Sequence, residues 1–355
     1  MVGSRKYDCR PFATLTRPFS PLFSSLVLSH RHESGQFSVK DLDLNVLRDL
    51  SASQLMKRVW LSIGNFDGVH RGHQAMLSRL VARARQDNLP CAVLTFDPHP
   101  LTLIRPNSVP APLTTLEQRA ALLRELGLNQ VIAYPTDAAL LEMSPAAFFE
   151  QILLQKLDIA GLVEGPNFLF GHHRAGTVDT LTTLCAQANR PLEIVQPVLV
   201  EGNWISSSAV RQALQAGQVK QAADFLGRPY SLTGTVVTGA QRGRTLGFPT
   251  ANLSDVQTLI PTEGVYSGQA MVQQQLYAAA INIGPNPTFR EERQKMEIHL
   301  LDFAGDLYGQ LLTVEFLDHL RPVHRFDSVD ALKAQLDIDL AKVRQTWQAA
   351  KMRAR

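Results

Sequence analysis

Two stretches of this chain gather residue types that can hold and activate phosphate. In the first, GNFDGVHRGHQ over residues 64–74, His70 and His73 stand three positions apart. On a helix that spacing puts both imidazoles on one side of a single turn. Gly64 and Gly68 permit close backbone approach to an anion, and the amides of a helix N-terminus add donors and a favourable dipole. Paired imidazoles at such a place can donate hydrogen bonds to a polyphosphate and stabilise charge developing on it. A lone histidine there is more often a cap or a surface residue; a strand end, two glycines, Asp67 and the HxGH spacing together favour the chemical reading. Far downstream, ISSSAVRQAL over 205–214 places the hydroxyls of Ser207 and Ser208 at a helix start and Arg211 one turn later. That makes a small anion clamp, although the same string alone is also an ordinary serine-capped helix.

The second stretch, TGAQRGRTLGFPTANL over 238–253, is punctuated by Gly239, Gly243 and Gly247 and ends in a hydroxyl at Thr250 and an amide at Asn252. A glycine loop can wrap phosphates through its amides, and the two oxygens suit a hard cation such as Mg²⁺. No GK[ST] follows, so this is not a P-loop, and glycines alone would suggest a hairpin turn. Downstream, MEIHLLDF alternates, with Met296, Ile298 and Leu300 on one strand face and Glu297 and His299 on the other. Glu297 is a candidate general base; His299 is expected to be structural or exposed.

The elements that must position these residues fall into two patterns. From about Arg58, the strands VWLSIG, CAVLTF, QVIAYP and AGLVEG alternate with helical stretches such as HRGHQAMLSRLVARARQ, LEQRAALLRELG and PAAFFEQILLQKL. This predicts βαβ units and a parallel sheet. After Pro229 come short β-branched or alternating segments separated by Gly and Pro, among them SLTGTVVTGA, GVYSGQAMVQQ, LYAAAINIG and LLTVEFLDHL. They predict an all-β barrel or sandwich. A final amphipathic helix carries Leu332, Leu336, Leu340, Val343 and Trp347, with Ser328 as its N-cap. The composition break lies near residues 226–230. The expected division is an irregular extension over 1–50, an α/β domain over 51–228 and a β domain over 229–355, with no internal repeat.

Composition narrows the partners. The chain has 355 residues, 45% hydrophobic and 19% charged, and a net charge of +3. Residues 1–32 hold five Lys/Arg against one acid, so the remainder is close to neutral at −1. A near-neutral body favours small anionic ligands over polynucleotides, and no apolar run is long enough to span a membrane. Cys9, Cys91 and Cys185 form neither a disulfide framework nor a zinc cluster, which fits a reduced, cytosolic compartment. The Arg- and Ser-rich opening reads as a disordered extension or an early-assigned start, with a transit peptide or a secretory signal as alternatives.

The HxGH string is similar to the signature of the nucleotidyltransferases that release pyrophosphate. With TFDPHP at 95–100, GPNFLFGHHRAG at 165–176 and ISSSAVR, the first half resembles the FMN-adenylylating module of bacterial bifunctional riboflavin kinase/FAD synthetases. GRTLGFPTANL, GVYSG, NIGPNPTF and HLLDFAGDLYG resemble the riboflavin kinase module. The likeness spans residues 58–345. It implies a Rossmann-like domain followed by a small β-barrel and a helix, with phosphorylation of riboflavin to FMN and adenylylation of FMN to FAD, both from ATP with Mg²⁺. By resemblance His70, His73, Ser207, Ser208 and Arg211 bind ATP phosphates, and Gly64, Phe66 and Asp67 contact the nucleotide. Asn167 faces the flavin, while Gly239, Gly247, Thr250 and Asn252 hold the second ATP and its metal. Glu297 is the base for the riboflavin 5′-hydroxyl. The family commonly has Thr where Ser208 stands, and Asp and Arg where this chain has Asn167 and Leu169. Riboflavin, FMN and ATP are the implied partners; oligomeric state is left open. The rival readings are an enzyme active at one site only, or a non-catalytic flavin-binding regulator. The intact His70/His73 pair and Glu297 argue against the regulator, and Leu169 is the sole hint of an enzyme active at one site.

Overall fold

The computed structural model describes residues 46–353 apart from 52, 201, 240–247 and 287–290. The expected extension before residue 46 and the loop glycines Gly243 and Gly247 therefore lie outside the described residues.

Apolar runs bounded by turn residues form a six-stranded parallel sheet of β1 (Val46–Leu47), β2 (Trp60–Ile63), β3 (Cys91–Asp97), β4 (Gln130–Pro135), β5 (Gly161–Glu164) and β6 (Leu192–Ile194). Helices cover both faces, which is why β2 is buried along its whole length. They are α1 (Arg71–Gln86), α2 (Leu116–Glu125), α3 (Phe148–Lys156) and α4 (Val178–Gln187). The strand order is β1-β4-β3-β2-β5-β6, so the chain leaves β2 in one direction along the sheet and later returns to its other side at β5. Ligands of open parallel sheets bind at such a reversal, beyond the carboxyl ends of the strands. The GNFDGVH turn leaves β2 there.

Two features depart from the sequence reading. β1 lies inside the stretch expected to be irregular: Val46 and Leu47 pair with Val131 and Ile132. Two residues are too few to display a period. The helix expected at 145–157 forms, but Phe148–Lys156 has π-type turns. The wider turn lines up Phe148, Ile152, Leu153 and Leu157 toward the core.

A hairpin of β7 (Leu199–Val200) and β8 (Asn203–Trp204) leads into α5 (Ser207–Gln215) and α6 (Val219–Leu226). The chain then closes a six-stranded antiparallel barrel from β9 (Tyr230–Val237), β10 (Ala251–Ser254), β11 (Gly264–Val272), β12 (Gln275–Asn286), β13 (Glu291–Leu300) and β14 (Leu311–Arg321). The last helix, α7 (Val329–Arg353), is capped as expected by the Ser328 hydroxyl, which accepts from the Ala331 amide at 3.1 Å. It seats Val343 against Ala278 and Leu301 of the barrel wall.

The core does not divide where the composition does. One cluster joins Val210, Leu214, Ala222, Phe225 and Leu226 of α5 and α6 to Tyr230, Leu232, Tyr266 and Phe316 of the barrel. Hydrogen bonds cross the same junction, among them Leu259 amide to Pro112 carbonyl at 2.7 Å, Thr262 amide to Leu214 carbonyl at 3.2 Å, and Gln118 Nε2 to Thr233 Oγ1 at 3.2 Å.

Candidate active sites

In the α/β module, His70 is the N-cap of α1. Its Nδ1 accepts from the His73 amide at 3.3 Å, so the proton of its neutral ring sits on Nε2, which is left as a donor. The His73 ring stacks on it at 3.6 Å with 19° between planes, and Phe66 packs edge-on against His73 at 5.3 Å. Burial pushes His70 down to about 4, with Asp67 opposing the shift and Arg228 adding to it. Burial, then the His70 and Arg119 charges, hold His73 well below the ordinary imidazole value. Both rings are therefore neutral near pH 7. The Nδ1 of His73 is buried with no protein partner, as is Oδ1 of Asn65. Buried polar atoms are nearly always paired in folded proteins, so two unpaired atoms within this one motif are places for a ligand or a water to supply the partner.

The side chains of two residues of the string serve the scaffold. Phe66, 1% exposed, belongs to the core and supports Gly64 and His73 from below. Asp67, 6% exposed, is a hub. It accepts from the amides of Leu113 and Thr114 at 3.0–3.1 Å and from Thr114 Oγ1 at 3.0 Å. It also pairs with Arg119 at 3.3 Å and with Arg211. Its lone pairs are spent on the scaffold because a buried carboxylate must be satisfied there. Gly68, at φ +78°, allows the next turn, and a Cβ there would lie 2.9 Å from Leu113 Cδ1.

The serine helix arrives at the same place. Ser206 caps α5, and Ser207 Oγ donates to the Asp67 carbonyl at 2.8 Å. Ser208 is exposed in the first turn, and Arg211 Nε donates to the Ala111 carbonyl at 2.8 Å. Two helix N-termini thus meet at one point. Asn167 and Leu169 are exposed on the loop after β5, at the carboxyl edge of the sheet.

Three site residues escaped the sequence reading. Arg119, on α2, is a largely buried guanidinium between Asp67 and Thr95 Oγ1, close enough to depress His73. Asn65 Nδ2 lies 2.8 Å from His99 Nε2, which ties the turn after β2 to the TFDPHP segment. Arg119 sits in a helix that reads as amphipathic surface; only the fold brings it to Asp67. His99 and Asn65 lay inside quoted motifs, which were the available signal.

In the barrel, register brings candidate residues of the second site together. Asn252 on β10 pairs across to Val237 on β9 and to Glu297 on β13, and Glu297 pairs on to Asn282 of β12. Met296, Ile298 and Leu300 are buried while Glu297 and His299 are half-exposed, the alternation the sequence predicts. Gly239 leaves room for Asn252: a Cβ there would fall 2.2 Å from Asn252 Nδ2. Thr250 directly precedes β10. His299 has a definite task, its Nδ1 lying 2.7 Å from the Pro249 carbonyl and its ring edge-on to Phe248, so it anchors the FPTAN segment.

Residues 52–209 match the family described as FAD synthetase, and residues 226–347 match the one described as riboflavin kinase. Across both regions the chain is 39% identical, over 284 residues, to the bifunctional riboflavin kinase/FMN adenylyltransferase of Pseudomonas fluorescens, covering 80% of this chain and 91% of that protein. The chain belongs to that bifunctional family. The enzyme of the same name from Escherichia coli K12 is 37% identical over 286 residues, with 80% and 91% covered, and that from Bacillus subtilis 33% over 285, with 79% and 89% covered. A solved chain titled a macrolide-efflux protein from Streptococcus pneumoniae shares the fold, at TM-score 0.76 and 31% identity, over 84% of this chain and 97% of that one. Among the described residues no helix is long and apolar enough to cross a membrane. As a bifunctional riboflavin kinase/FMN adenylyltransferase the chain carries both transferase modules, so the one-site and non-catalytic readings find no support.

Proposed function

We propose that the barrel transfers the γ-phosphoryl group of ATP to the riboflavin 5′-hydroxyl, and that the α/β module transfers AMP from a second ATP to the FMN phosphate. The observation that carries the second assignment is the stacked His70/His73 pair, with an unpartnered buried Nδ1, where the N-termini of α1 and α5 converge beside Arg119 and Arg211. There the FMN phosphate oxygen attacks the α-phosphorus of ATP and pyrophosphate departs. The nucleophile is already anionic near neutral pH, so alignment and stabilisation of charge matter more than a base. His70 Nε2, His73, Ser208 and Arg211 face the phosphates, and Asn167 faces the flavin.

In the barrel Glu297 accepts the proton of the 5′-hydroxyl as its oxygen bonds to the γ-phosphorus and ADP leaves. The hydroxyl of Thr250 and the amide oxygen of Asn252, beside the space that Gly239 keeps clear, fit the few hard oxygen ligands Mg²⁺ takes from protein when phosphates supply the rest. Bound there, the ion would neutralise charge on the transferring phosphate. Gly239 and Gly247 would wrap the same ATP. Cys91 and Cys185, both buried free thiols, accord with a reducing cytoplasm.

Incubating the full chain with riboflavin and Mg-ATP and separating the flavins tests the whole reading. FMN followed by FAD is expected. FMN alone would remove the adenylylation assignment, and no product from either riboflavin or added FMN would favour a binding protein.

A further inference from the structure

Arg228 ends the stretch expected to be the α/β domain, but it lies inside the riboflavin kinase match over 226–347 and two residues before β9, and its side chain reaches back into the α/β module. Its Nη2 donates to the Gly68 carbonyl at 2.8 Å, and its Nη1 lies 3.4 Å from the Val69 carbonyl and 3.3 Å from that of Leu226. Gln74 Nε2 reinforces the contact from α1, donating to Val69 at 2.8 Å and to Leu226 at 2.7 Å. The turn they grip needs holding: Gly68 and Val69 both have positive φ, +78° and +41°, and a β-branched residue enters that region only under constraint. His70 is the next residue.

We propose that Arg228 is a positioning residue for adenylylation: it fixes the Gly68–Val69 turn and thereby the His70/His73 pair, so that the barrel module completes the catalytic site of the other. The inference rests on the assignment of adenylylation to the α/β module. A fork of donors is needed because three carbonyls converge on one group. The charge is balanced from both sides, by Glu125 of α2 and by Glu315 of barrel strand β14, with Tyr230 beside it. Burial lowers Arg228 to about 10, which leaves it cationic at neutral pH. Glu315 is itself fixed by Gln269, whose Nε2 donates to it at 2.6 Å. A chain of contacts thus runs from the barrel wall through Arg228 to the histidine turn. Around His70, Asp67 favours the imidazolium and Arg228 disfavours it, so removing the guanidinium both loosens the turn and eases protonation of the ring.

The test uses the full chain with Arg228→Met and Arg228→Lys, measuring pyrophosphate release from FMN and Mg-ATP, kinase activity in the same sample, and the pH profile of adenylylation kcat. Arg228→Met should lower adenylylation kcat about 10–100-fold, the scale of an ångström-level misplacement, with KM for FMN and ATP changed less. Its acid limb should move to higher pH, and kinase kcat should stay within about twofold of wild type. Arg228→Lys keeps the charge without the fork, so kcat should recover part of the loss and the acid limb should return to the wild-type position. If the Met variant does not fold, the Lys variant decides, by a selective loss of adenylylation with normal kinase activity. Adenylylation within twofold of wild type in either folded variant, or equal loss of both activities in Arg228→Lys, would overturn the proposal. Absence of adenylylation in the wild-type chain would instead remove the assignment on which it rests.

Discussion

The two sites are built on opposite plans. In the α/β module the reacting face is a short local string, but the charge beneath it is gathered from afar: Asp67 from the turn after β2, Arg119 from α2 and Arg211 from α5 meet in one buried cluster. In the barrel, the proposed residues Asn252 and Glu297 sit on neighbouring strands, with Thr250 just before the first, and the hydrogen-bonded register pairs them. The first plan depends on the packing of separate layers, the second on a ladder. A site of the first kind should be easy to damage at a distance; one of the second should fail mainly when its own residues change.

The largest expected effect tests the ladder. Glu297→Gln removes the proposed base and should lower kinase kcat about 10²–10⁴-fold, while FAD formation from added FMN stays near wild type. Kinase turnover within threefold of wild type would assign Glu297 to the strand alone. His73→Ala comes next. It takes away a ring but keeps the backbone amide that His70 caps, so α1 is preserved. Adenylylation should fall roughly 10²–10³-fold, the worth of one preorganised donor, with the kinase unaffected; an unchanged rate in steady-state assays would refute a catalytic part for the ring.

Asp67→Asn probes the hub rather than the reacting face. Two buried guanidinium groups would lose their counter-charge, and breaking a buried pair of this kind costs about 3–5 kcal/mol. Chemical denaturation should show a loss of that order, and adenylylation should drop well beyond what its thermal stability explains. A stability change below about 1 kcal/mol would mean that the hub is solvated and weak. The smallest effect belongs to truncation. A fragment from Ile205 onward keeps α5 and α6 on the barrel and should retain kinase kcat within a few-fold of the intact chain but make no FAD. A fragment from Pro229 exposes the face those helices cover and should melt at a lower temperature. Equal melting of the two fragments would show that the shared cluster adds nothing to the barrel.

The sheet, the barrel and the final helix were readable because their apolar residues repeat with periods of two or of three to four, interrupted by Gly and Pro. The two motif strings were readable because their chemistry is contiguous. Arg119 was not: a cation on an amphipathic helix has the same local signature whether it faces water or a buried aspartate. The scaffold task of the Asp67 and Phe66 side chains was not legible, since sequence shows proximity to a site but not which lone pairs the scaffold consumes. β1 was too short to carry a pattern. The composition break near residue 228 marks where strands begin, whereas α5 and α6 change sides through side-chain packing, which composition does not encode.

Because α5 shares its buried face with the barrel while its Ser207 and Arg211 bond to Asp67 of the turn after β2, loss of the barrel is expected to carry those two side chains away from the proposed adenylylation site. Heat inactivation of FAD synthesis should therefore track loss of the barrel, even though His70 and His73 lie at the start of α1 in the α/β module. A ligand that binds the folded barrel stabilises it by mass action, by about 2.7 kcal/mol at a hundredfold excess over its dissociation constant. Riboflavin added during heating should then protect FAD synthesis from inactivation, a protection measurable as longer half-life of an activity that the barrel does not itself perform.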